Sequence, residues 1–111
     1  MQARLQDSKR AILDGAGNGT VSFGPGRPNE RWTIQRVSCS VSTNTKEAQF
    51  KVYRGTAGVG SFVTGSVTGS TGDTDDGLNE SLWSGETLSA QWTGGDVGAQ
   101  AVVTYWGTID V

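Results

Sequence analysis

The chain has 111 residues, the size of one common domain, with a net charge of −2 and no histidine. The missing histidine excludes Ser-His and Cys-His catalysis, and the lone cysteine, Cys39, excludes an intrachain disulfide and a cysteine zinc cluster. Seventeen glycines against two prolines, with 24 Ser and Thr, suit tight turns between short Thr-rich strands, and no segment reads as a long amphipathic helix.

Residues 1–8 (MQARLQDS) are polar with one leucine and read as a short N-terminal arm that orders on a partner, ahead of a domain spanning 9–111. Two apolar runs, Ala11-Ile12-Leu13 and Val21-Ser22-Phe23, flank the cluster Gly15–Gly19 and predict a β-hairpin, because the glycines end any helix begun at residue 3. Pro25–Asn29 is a loop. The longest strand-like run is residues 30–43, in which Trp32 and Ile34 share one parity and Val37, Cys39 and Val41 the other. A strand keeps one face inward, so the switch predicts a bulge near Gln35-Arg36 or a crossing between sheets. Cys39 then lies beside two valines as a buried, inert thiol. Ala48, Phe50 and Val52 alternate with Gln49 and Lys51, which predicts a half-buried strand.

From Gly55 to Gly77 the sequence loosens into Gly, Ser and Thr, with one short strand expected at Ser61–Thr64 and a long loop ending in acids. Strands are then expected at Leu78–Trp83, Glu86–Thr93 and Ala99–Ile109, separated by turns at Ser84-Gly85 and Gly94–Gly98. Seven or eight strands at short intervals predict an all-β, antiparallel β-sandwich of jelly-roll kind.

The core is thin: Leu, Ile, Val and Phe number 22. Four tryptophans oppose disorder, each able to bury ~150–250 Å², yet ordering costs about 1–2 kcal/mol per residue of backbone. Such a chain is expected to be completed by neighbours, as a homo-oligomer or a docked subunit. The charges divide sharply. All nine Lys and Arg lie at or before Arg54 with four acids, giving +5, while the remainder holds seven acids and no base. Either the halves interleave and neutralise each other across strands, or a basic side meets an acidic neighbour. On the second reading Arg4, Lys9 and Arg10 contact the partner, joined by Trp106, whose strand carries apolar residues on both parities and suits an interface.

Other candidate sites have plainer readings. Glu80 and Glu86 could be imagined as a glycosidase pair, but both adjoin turns and read as solvated side chains. Gly72–Gly77, with Asp73, Asp75 and Asp76, resembles half a calcium loop and lacks the distal bidentate Glu, so turn-forming aspartates are the plainer reading and no cofactor is expected. Trp32 and Trp92 share faces with apolar residues and read as core. Trp83 shares its face with Asn79 and Ser81 and is the tryptophan best placed to stack on a sugar. An acidic pI near 4.9 has the wrong sign for nucleic acid. The lack of a long apolar run or a signal-peptide core gives no membrane partner, and the expected site of synthesis is the cytosol.

Val52-Tyr53-Arg54-Gly55, Ser84-Gly85-Glu86-Thr87-Leu88 and Gln91–Ala99 together resemble a group of small virion proteins of tailed phages infecting actinobacteria; Asp14–Thr20 and the Trp32 strand fit the same pattern. The resemblance spans about residues 9–109 and is one of turns and strands, without a catalytic signature. It implies a structural part of the particle, a minor tail component or a capsid decoration, assembled in the host cytoplasm against other virion proteins. The alternative expectation is a carbohydrate-binding module that attaches the particle to a host surface.

Overall fold

A computed structural model describes residues 2–43, 45–56, 58, 60–66, 71–75 and 77–111, with residues 61, 66 and 71–75 described by backbone alone. The described residues are all-β: β1 (Gln2–Ile12), β2 (Gly19–Phe23), β3 (Arg31–Val41), β4 (Gln49–Arg54), β5 (Ser61–Ser66), β6 (Thr71–Asp75), β7 (Glu80–Trp83), β8 (Leu88–Thr93) and β9 (Gln100–Asp110). They form two antiparallel sheets. Sheet A has the order β1-β9-β3-β6, with β7 also on β3, and sheet B the order β2-β8-β4-β5. The pairing is nested: the first strand with the last, β2 with β8, β3 with β6 and β7, β4 with β5.

The sheets face each other across one core. Phe23 of sheet B stacks on Tyr105 of sheet A, with ring centroids 4.1 Å apart, and within sheet B Trp92 packs on its cross-strand neighbour Phe50 at 5.2 Å. The alternation read from sequence supplies this core: Ala48, Phe50, Val52, Leu88, Ala90 and Trp92 are buried, as are Val37, Cys39 and Val41. Trp32 is partly buried against the core and donates its indole N–H to Glu30 at 2.8 Å.

The parity switch in β3 is a bulge, with the register against β9 shifting between Ile34 and Arg36. Gly107 lies opposite Ile34, and a Cβ there would run into the Thr33 carbonyl, so the bulged strand needs a glycine beside it.

Three expectations are corrected. Residues 2–8 are no arm: they are the first part of β1, which pairs residue for residue with β9 from Gln2–Asp110 to Ile12–Gln100. Polar side chains suit this strand because it is an edge, where only one side of the ladder must be satisfied. Residues 9–24 are no hairpin either, since β1 and β2 lie in different sheets. Leu13 turns into the core, its N–H bonded to the Ala99 carbonyl, and the Gly/Asn cluster is the crossover. Asp14 accepts from the amides of Ala16 and Asn18, and Gly17, with φ 77°, packs its α-carbon against the Gly95 carbonyl. Lastly, the stretch after Thr64 is not all loop, because β6 pairs with the Val37–Ser40 part of β3.

Candidate functional site

The bulge decides what the outer face of sheet A displays. Arg31 and Arg36 have opposite parity and would leave a regular strand on opposite faces; the extra residue at the bulge puts both outward. Strand register then sets rows across the sheet. Gln6, Trp106 and Arg36 form one row, Arg4, Thr108 and Thr33 the next, and Asp110, Arg31 and Trp83 another. Arg10 stands opposite Val102 further along β1. The Arg36 guanidinium lies over the Trp106 ring at 4.3 Å, and Arg31 lies over Trp83 at 5.3 Å while pairing with Asp110 at 3.3 Å.

Among the described side chains, this face carries four arginines and two tryptophans against one carboxylate, Asp110, which Arg31 already holds. Among the described residues, Arg4, Arg10 and Arg36 make no ion pair there. The described side chains of this face are basic although the chain is acidic. Its stacked guanidiniums keep their charge and sit over rings that hold them in place, an arrangement suited to a flat acidic surface.

Of the predicted partner contacts, the structure brings Arg4, Arg10 and Trp106 onto this face. Lys9 falls on the opposite parity, in the row of Val103 and Cys39, and is exposed because β1 is the sheet's edge. Sequence reading missed Arg31 and Arg36; the signal available was the parity switch lying between them. Trp83 is 55% exposed, with Arg31 near one face of its ring. Asp73 and Asp75 fall on the extended backbone of β6, which does not wrap oxygens round an ion as a tight loop does, and Asp76 lies outside the described residues. Among the described residues, no three His, Cys, Asp or Glu gather to hold a metal, and no helix is long and apolar enough to cross a membrane.

The described acidic side chains of the second half are engaged with the first. Arg54 donates to the Ser81 carbonyl at 2.7 Å and to Glu86 at 3.0 Å and lies 3.6 Å from Glu80, while Glu86 also accepts from the Trp83 amide. That amide, followed by Arg54, holds the Glu86 carboxyl below its ordinary value. Asp96 accepts from the Thr43 hydroxyl and the amides of Thr45 and Lys46, pinning the turn after β3. The halves therefore interleave, through Arg54 with Glu80 and Glu86 and through Arg31 with Asp110.

The outer face of sheet B differs. Thr20, Ser22, Thr87, Ser89 and Gln91 line an open groove of about 420 Å³ floored by hydroxyls, in which Ser89 donates to the Gly55 carbonyl. The chain matches no protein-family model, no curated protein and no solved structure.

Proposed function

We propose that the chain is a non-enzymatic structural subunit of a phage virion that docks on acidic neighbouring subunits through the outer face of sheet A. The observation that carries this reading is the row of Arg36 and Trp106, with Arg4 and Arg10 beside it, on a sheet face with no free described carboxylate. A face of fixed guanidiniums and flat rings loses little entropy on contact and gains from both charge and apolar area. The nested pairing of first strand with last and second with next to last supports the jelly-roll reading, since one long hairpin rolled on itself pairs in that way. Capsid decoration and minor tail component are both compatible with such docking.

Purified virions provide the test. Mass spectrometry of particles is expected to find the chain at a stoichiometric level. Arg4→Glu with Arg10→Glu, a pair of exposed changes, is expected to leave the purified protein folded and remove it from the particle. Absence of the chain from virions, or incorporation indifferent to both changes and to salt, would overturn the reading.

A second reading, glycan attachment, draws on the exposure of Trp83, a tryptophan with Arg31 near its ring. Glycan arrays with Trp83→Ala separate it from the first: binding lost with the ring supports it, and no binding removes it.

A further inference from the structure

Among the described strands, β1 stands at one edge of sheet A. The strand runs 11 residues and, among the described residues, pairs with β9 alone. On its inward parity it carries Asp7 and Lys9, both exposed, opposite Tyr105 and Val103. Charges aimed inward from an edge normally keep other strands away. These two have opposite sign and stand two residues apart, which makes them complementary to their own copy.

We propose that β1 pairs with β1 of a second copy of this chain, antiparallel, about a two-fold axis through Ser8. In such a pair, opposite residues share a sheet face, so the axis must pass through a residue and the register can slip only in steps that keep parity. Centred on Ser8, Asp7 stands opposite the second copy's Lys9 and Lys9 opposite its Asp7. Leu5 faces Ala11, Gln6 faces Arg10, and Arg4 lays its stem on the exposed Ile12. Centred on Asp7, the same strands oppose Asp7 to itself and Arg4 to Arg10. Centred on Lys9, they oppose Lys9 to itself. Of these three registers only the Ser8 one joins opposite charges and opposes no like ones.

The backbone agrees with that register. The Ser8 amide is turned to the open side, where it donates to its neighbour Asp7 Oδ1 at 2.8 Å. It therefore faces the carbonyl of the second copy's Ser8, and Ser8 becomes a hydrogen-bonded pair at the axis. Asp7 and Lys9 then fall in the non-bonded pairs, where side chains stand closest. On pairing, Asp7 gives up the Ser8 amide and takes the lysine. This association uses the edge of sheet A and does not rest on the docking of its outer face.

Sedimentation of the purified chain tests it without any virion. The wild type is expected to form a dimer at micromolar concentration. Asp7→Lys leaves two lysines on each edge and Lys9→Asp two aspartates, so each alone is expected to weaken dimerisation roughly ten-fold or more. Mixed in equal amounts, the two variants regain opposite charges at both pairs and are expected to form a heterodimer, as the double exchange Asp7→Lys/Lys9→Asp is expected to restore the homodimer. A wild type that stays monomeric, single variants that dimerise as well as the wild type, or a mixture no tighter than its components would overturn the proposal.

Discussion

Arg36 and Trp106 stand opposite each other in the β3–β9 pair, the guanidinium 4.3 Å from the ring centroid, because the bulge after Ile34 turns Arg36 outward. Without the extra residue Arg36 would point toward the core, where an unpaired charge is not tolerated. The bulge thus adds Arg36 to the arginines that Arg4, Arg10 and Arg31 already give the outer face of sheet A.

The stack itself is expected to contribute about 0.5–1 kcal/mol, the value of an exposed cation–π contact. A double-mutant cycle of Arg36→Ala and Trp106→Leu, followed by urea unfolding, is expected to return that coupling. A coupling of zero would mean the two groups merely coexist. Arg36→Lys is expected to recover only part, since an ammonium lacks the flat face that lies on the indole.

Gly107 is expected to be the least replaceable glycine of sheet A. An alanine methyl there meets the Thr33 carbonyl and the Ile34 α-carbon, which are backbone and cannot rotate aside. Gly107→Ala is expected to reach at least the upper end of the roughly 1–3 kcal/mol that overpacking costs. Gly15→Ala, with open space around it and no positive φ, serves as the control and is expected to stay within about 0.5 kcal/mol. Equal midpoints in urea for the two variants would contradict the role given to Gly107.

Alternation made the core legible. The Phe50, Val52, Leu88, Ala90 and Trp92 positions follow from a period of two, and the parity break at Gln35-Arg36 located the bulge. Pairing was less legible, because it depends on residues far apart in sequence. Nothing in Ala11–Phe23 tells a hairpin from a crossover; the difference is that Leu13 bonds to Ala99, 86 positions on. A polar edge strand also reads like a mobile arm: of residues 2–8 only Leu5 is buried, so no alternation marks the strand, and β1 was hidden. The candidate site was half legible for the same reason: Arg4, Arg10 and Trp106 could be named singly, but their grouping with Arg36 needs the register of three strands.

Acid is expected to release the turn after β3. Asp96 is held below its ordinary value of 3.8 by the Thr43 hydroxyl first and then by the amides of Lys46 and Thr45. A depressed carboxyl contributes stability that is full above its unfolded value and lost as pH falls through its lower folded value. Asp96→Asn removes the charge that these donors favour, so it is expected to melt lower than the wild type at about pH 6 and to converge on it at about pH 2. A gap that stays constant across that range would show that the turn does not depend on the ionised carboxylate.

Base acts on the other end of the core. Burial first, and then the charge and hydrogen bonding of Asp7, push the Tyr105 phenol from 10.0 to about 12. The sign is opposite to that of Asp96: a raised value contributes stability that is full below the unfolded value of 10.0 and lost as pH rises through about 12. Tyr53→Phe leaves Tyr105 as the one tyrosine, and its tyrosinate absorbance is expected to rise late, together with alkaline unfolding. Tyr105→Phe keeps the ring stacked on Phe23 and removes the ionisable oxygen, so its stability is expected to fall less steeply over the same alkaline interval. Full ionisation of Tyr105 near pH 10 in the still-folded chain would contradict its burial between the sheets.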